Sequence, residues 1–106
     1  MTTSRIDIFK QMLEADPANT SILFGLAKEY EKTGATEEMI EALNRYLAAA
    51  DDQGNAYGML ARAYEMSGRR DEARTTYERG IEVATRHGHP GMAEEYRQTL
   101  SSEYEA

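Results

Sequence analysis

The stretch Leu23-Phe24-Gly25-Leu26-Ala27-Lys28-Glu29-Tyr30-Glu31-Lys32-Thr33-Gly34 returns, thirty-four residues later, as Tyr57-Gly58-Met59-Leu60-Ala61-Arg62-Ala63-Tyr64-Glu65-Met66-Ser67-Gly68. Both copies reduce to a bulky apolar residue, then Leu-Ala, then Tyr, then Gly, at the same spacing. Apolar residues three and four apart share one face of a helix, and a glycine after the last of them closes it. A period of this size marks stacked supersecondary units, because one short unit cannot bury its apolar face alone and must lay it on a neighbour.

The pattern extends in both directions. Ile6, Phe9, Met12 and Leu13 make a first helical stripe, closed at Asp16-Pro17 because the proline restricts the residue before it. Asn19 or Thr20 is placed to cap the second helix, which Gly34 ends. Thr36 is expected to cap a third, with Glu37 and Glu38 in its first turn and Met39, Ile40, Leu43, Tyr46 and Leu47 on its apolar face. Asp51-Asp52-Gln53-Gly54 breaks the run. Tyr57, Leu60, Ala61 and Tyr64 mark a fourth helix ended by Gly68, and Asp71-Glu72 open a fifth carrying Ala73, Tyr77, Ile81 and Ala84. After the turn His87-Gly88-His89-Pro90-Gly91, the residues Met92, Ala93, Tyr96 and Leu100 predict a last amphipathic helix ending near Ser102.

The apolar slots Leu13, Leu47 and Ile81 are thirty-four apart, as are Phe9, Leu43 and Tyr77, so the N-terminal helix reads as the second half of a further repeat. Strict continuation of the period puts Glu94, Glu95 and Gln98 into core slots of the last helix. A shift of two residues puts Ala93, Tyr96 and Leu100 there instead, and that register is expected, with the helix as a polar-backed cap. The expectation is one all-α domain over 1–106, with a half repeat at 3–16, repeats at 20–53 and 54–87, and a capping helix at 90–104.

Composition excludes several functions. The 106 residues carry 12 basic and 19 acidic side chains, a net charge of -7 that opposes a nucleic-acid or anionic-membrane surface. With 41% hydrophobic residues and a mean hydropathy of -0.70, no segment reaches membrane-spanning length, and the N-terminus lacks the apolar run of a signal peptide. There is no cysteine, which suits a reducing compartment, so a cytoplasmic chain is expected. No nucleophile-base-orienter set, phosphate-cradling glycine loop or H-E-x-x-H motif is written in the chain, so neither catalysis nor a cofactor is expected. His87 and His89 would need a carboxylate to hold a metal, and a histidine at a helix C-terminus more readily meets free carbonyls; no metal site is expected. Arg69, Arg70 and Arg74, interleaved with Asp71, Glu72 and Glu78, read as a solvated salt-bridged face.

These residues resemble the tetratricopeptide repeat family, in its small bacterial-type form, whose unit is a thirty-four-residue helix-turn-helix. Both copies hold the family's leucine, small residue, tyrosine and glycine, and Ala73-x-x-x-Tyr77 resembles its second-helix signature, where the first copy has Met39 and Leu43. Of the repeat-closing prolines Pro17 is present, with Asp51 and Thr85 in the other two places. The resemblance implies antiparallel helix pairs stacked as a short right-handed superhelical solenoid of about six helices. Its packing positions are Leu23, Leu26, Ala27, Tyr30, Gly34, Leu43, Leu47, Tyr57, Leu60, Ala61, Tyr64, Gly68, Ala73, Tyr77 and Ile81.

One step beyond the core positions a helix has turned about 100°, which separates Phe24, Lys28 and Glu31 on one copy and Gly58, Arg62 and Glu65 on the other. By resemblance this face lines a concave groove that receives a peptide or partner protein, with Met59 beside it. Phe24 offers an apolar anchor, Gly58 is read as open space, and Lys28 with Arg62 suits a carboxylate-bearing peptide. Against that, Phe24 can pack on a neighbouring helix and Lys28 can pair with Glu31 or Glu65. The carboxylate clamp of chaperone-binding relatives is not matched, since Phe24, Lys28 and Met59 stand where it wants lysine and asparagines. The expected function is a non-catalytic interaction module; the alternative is a structural homodimer in which a second copy covers Ile6, Ile8, Phe9, Met12 and Leu13 of the terminal helix or fills the groove.

Overall fold

The computed structural model describes residues 4–105; the opening of the half repeat at residue 3 lies outside them. Six helices follow in order: α1 (Arg5–Ala15), α2 (Thr20–Thr33), α3 (Thr36–Ala49), α4 (Asn55–Met66), α5 (Arg70–Arg86) and α6 (Pro90–Glu103). No strand occurs among the described residues. The helices pack in adjacent pairs, giving an all-α helical-repeat fold, and the chain divides into two compact units, Met1–Asp51 and Asp52–Ala106.

In the first unit α2 packs on both α1 and α3. Ser4 caps α1, its Oγ accepting from the Asp7 N–H at 3.1 Å, and Asn19 caps α2, its Oδ1 accepting from the Ile22 N–H at 3.1 Å. Gly34 takes the left-handed conformation, φ 74°, which lets the Ala35 N–H reach back to the Tyr30 carbonyl at 3.0 Å. Thr36 does not cap α3. It is already the first helical residue, one place too late, and Ala35 at the cap position makes no side-chain bond. Leu23 and Leu43 are the largest fully buried side chains, and Met39 and Ile40 join them, whereas Tyr46 and Leu47 are half-buried.

In the second unit α5 packs on α4 and α6. Asp52 Oδ2 accepts from the N–H groups of Gly54 and Ala56 at 2.8 and 3.0 Å, satisfying the start of α4 from outside it. Gly54 stands at φ 126°, a conformation that only glycine adopts without strain. At the other end of α4, Gly68 repeats the Gly34 turn, with φ 75° and the Arg69 N–H on the Tyr64 carbonyl at 2.8 Å. Leu60, Ala61, Tyr64, Ala73 and Tyr77 are buried, while Tyr57 and Ile81 are half-buried.

The last helix takes the shifted register. Ala93, Tyr96 and Leu100 are buried and Glu94, Glu95 and Gln98 are exposed. A change of lengths accompanies the displacement: α5 has 17 residues against 14 in α3, but a shorter connection follows it, so α6 begins one place later than strict repetition would set it. Tyr96 then enters a notch cut by two helical glycines. A Cβ on Gly58 would lie 2.7 Å from its Oη, and a Cβ on Gly80 would lie 2.9 Å from its Cε2. The Tyr96 hydroxyl donates to the Gly54 carbonyl at 2.8 Å, so one side chain ties α6 to α4 and α5.

Helix propensity alone favours alanine over glycine inside a helix by about 0.5–1 kcal/mol, whereas overpacking costs roughly 1–3 kcal/mol. Tyr96 is bounded on both sides and cannot step away, so overpacking wins. Gly58→Ala is expected to lower the urea midpoint, while Gly91→Ala, which meets open space, leaves it unchanged or raises it.

Candidate functional site

The faces expected to meet a partner belong to α2 and α4. On α2, Phe24 is half-buried and leans on Tyr46 of α3, ring centroids 5.1 Å apart and tilted by 51°. Lys28 Nζ lies 3.6 Å from Glu31 Oε1, with both side chains about half exposed. A pair so open to water contributes roughly 0–1 kcal/mol, and its charges stay available to a competing ligand. Next to it Glu29 receives Arg5 at 2.8 Å and Lys32 at 3.6 Å.

On α4 the equivalent positions behave differently. Gly58 is no open space: it is buried, and Tyr96 fills the room its missing side chain leaves. Met59 is also buried, at 8% exposure, so it presents no surface to a ligand. Glu65 is taken by the fold. Its Oε1 accepts from the Tyr77 hydroxyl at 3.2 Å and its Oε2 from the Tyr104 hydroxyl at 2.7 Å. Arg62 alone among these four remains exposed without being drawn into such a bond.

Sequence reasoning missed the cluster that claims Glu65. Tyr104 caps α6 and is buried, with the Arg70 guanidinium 4.1 Å from its ring centroid. Arg74 Nη2 donates to the Tyr104 carbonyl at 3.0 Å, and Arg70 donates to the Glu103 carbonyl. Two cations of α5 therefore satisfy the carbonyl end of α6, where the helix dipole is negative. They do not form the salt-bridged face expected from their acidic neighbours; Arg69 does, forking onto Glu72 at 2.8 and 2.7 Å. The signal for Tyr104 was present, because Tyr96, Leu100 and Tyr104 continue the stripe at four-residue steps.

The histidines are absorbed into turns. His87 Nδ1 lies 3.0 Å from the Val83 carbonyl, at the C-terminus of α5, and His89 Nε2 lies 2.6 Å from Gln53 Oε1. Among the described residues no group of three or more His, Asp or Glu is arranged to hold a metal, and no helix is long and apolar enough to cross a membrane.

With this geometry the chain matches known proteins in two ways. A family model described as Tetratricopeptide repeat matches residues 20–53 and 54–87. The crystal structure of MamA, a tetratricopeptide repeat protein, superposes with a TM-score of 0.67, covering 97% of this chain and 77% of that one, at 22% sequence identity. That likeness shows a shared fold. No curated protein matches the chain in sequence.

Burial first, and then the Glu65 carboxylate, push the hydroxyls of Tyr77 and Tyr104 up to about 12 from the usual 10. Both phenols are protonated in the folded state where the unfolded chain would already ionise, so folding binds protons in this range. Their contribution to stability is complete below about pH 10 and is lost as pH rises toward about 12. Near-ultraviolet tyrosinate titration is expected to show Tyr77 and Tyr104 ionising late, with Tyr96, raised chiefly by burial, also above the usual value. Glu65→Gln should bring Tyr77 and Tyr104 partway back, since burial remains; an unchanged titration would remove Glu65 from the account.

Proposed function

Because the chain belongs to the tetratricopeptide repeat family, whose repeats mediate protein-protein interaction, we propose that it is a non-catalytic module holding a peptide or partner protein, with the exposed face of α2 and, separately, that of α4 as its candidate contacts. The observation that carries this reading is the pair Lys28 and Arg62. They occupy the same place in consecutive repeats, both are exposed, and both are cationic in a chain of net charge -7. Two cations kept one repeat apart in sequence against the overall charge favour an occupant with carboxylates, and on α2 Phe24, half-buried against Tyr46, supplies an apolar edge one helical turn from Lys28.

A second reading rests on α1. Ile8 and Met12, one helical turn apart, are 44% and 46% exposed, and a second copy of the chain would cover them in a two-fold dimer. Light scattering over a concentration series separates the two. A concentration-independent dimer that Ile8→Ser with Met12→Ser abolishes supports the structural module.

For the binding module, Lys28→Glu with Arg62→Glu is expected to weaken an acidic peptide by about tenfold or more, since each charge-assisted contact contributes roughly 1.5–3 kcal/mol. Phe24→Ala in the same titration is expected to weaken it further. Unchanged binding of every acidic peptide by the double variant would sink the electrostatic part of the reading.

A further inference from the structure

The two repeats part company where a contact is complete in one and lacks a member in the other. In the second unit Arg69 stands over the Tyr64 ring, 4.8 Å from its centroid, while its Nε and Nη2 fork onto the Glu72 carboxylate. The hydrogen bond from Arg69 holds the Glu72 carboxyl below the usual carboxylate range. Thirty-four residues earlier the chain keeps the tyrosine, Tyr30, and the carboxylate, Glu38, but Ala35 stands in the place of the arginine.

Tyr30 and Glu38 border a crevice of about 380 Å³ within the first unit, floored by Leu13, Leu26 and Ala42. Tyr30 is only 8% exposed, and among the described residues its hydroxyl has no hydrogen-bond partner. Among the described residues no fully buried side-chain oxygen or nitrogen lacks a partner, so this hydroxyl keeps some access to solvent, and Tyr30 lines the crevice. Two cations of the chain also border the crevice without completing it. Arg45 Nη2 is spent on the Pro17 carbonyl at 3.0 Å, and neither Arg45 nor Lys10 stands over Tyr30 or within ion-pair distance of Glu38. Glu14 and Glu41 add two further acids to the rim.

We propose that this crevice takes an arginine side chain from a partner protein, its guanidinium over Tyr30 and forked onto Glu38 as Arg69 is over Tyr64 and onto Glu72. The second repeat supplies the template for the occupant. A planar fork satisfies a carboxylate through two parallel bonds while stacking on a ring, which the compact ammonium of lysine does not reproduce. The apolar floor receives the arginine's aliphatic stem and an apolar residue next to it. This surface is separate from the one proposed above, because Leu26 and Tyr30 are turned roughly 200° around α2 from Phe24 and Lys28.

The test is an NMR titration of the whole chain with the acetylated, amidated tripeptide Leu-Arg-Gly and with its citrulline counterpart, which keeps the shape and lacks the charge. Saturable shifts at Tyr30, Glu38 and Ala42 are expected with the arginine peptide and absent with citrulline. Glu38→Gln should weaken binding by about tenfold. Ala35→Arg, which restores the missing guanidinium from within, should abolish it; Glu38→Gln preserves size and decides independently of how that variant folds. Phe24→Ala is expected to leave these shifts intact, so failure here is distinguishable from failure of the α2 and α4 reading. Equal binding of the citrulline peptide, full binding to Ala35→Arg, or no saturable shift overturns the proposal.

Discussion

Close approach between helices is the constraint on which this protein rests. Short amphipathic helices bury a shared face only where the side chains at the crossing are small, and the chain meets this with alanine at corresponding places. Ala27 and Ala61 are fully buried, as are Ala73, Ala84 and Ala93. Each unit then seats its third helix by an aromatic side chain on glycine. Phe9 of α1 approaches Gly25 closely enough that an added Cβ would lie 3.2 Å from its Cζ, and Tyr96 of α6 fills the notch of Gly58 and Gly80. A glycine inside a helix costs about 0.5–1 kcal/mol in backbone entropy, which each site offsets by the aromatic surface it lets in.

Packing on this scale decides which residues remain for binding. A position consumed by a neighbouring helix presents nothing to a ligand, and the second copy of the repeat loses most of its outward face in this way. Tyr96 covers Gly58, Met59 is buried, and Glu65 is held by two tyrosine hydroxyls. The first copy keeps more, because Phe24 and Lys28 touch the fold only at an edge and through a weak pair. Asymmetry between near-identical repeats thus follows from what is packed beside each.

The period, the helix ends at Gly34 and Gly68, the Asn19 cap and the shifted register of α6 were all legible, because each depends on residues near in sequence or on apolar spacing. Gly58 was misread for a reason that sequence does not resolve. A missing side chain reads equally as free space or as a seat, and the residue that settles the matter arrives from α6. Arg70 and Arg74 misled in the same manner: adjacent acids suggested local pairs, yet their partners are carbonyls some thirty residues away. Thr36 shows the limit at finer scale, since a one-residue difference in where α3 starts puts Ala35, which has no capping side chain, at the cap position and Thr36 inside the helix.

An internal repeat also serves as its own control. Positions that agree, such as Leu26 with Leu60 or Tyr30 with Tyr64, are accounted for by burial. Positions that differ fall into two kinds. At Phe24 and Gly58 the change in volume is matched within each unit, by Tyr46 leaning on the ring in one and Tyr96 filling the gap in the other. At Ala35 and Arg69 the change is unmatched: the second copy's cation has two acceptors, and the first copy retains both acceptors without a cation. A matched difference is repacking and needs nothing from outside. An unmatched one leaves a tyrosine ring and a carboxylate without their guanidinium at the edge of an apolar crevice, and electrostatics favours a partner that brings the missing charge.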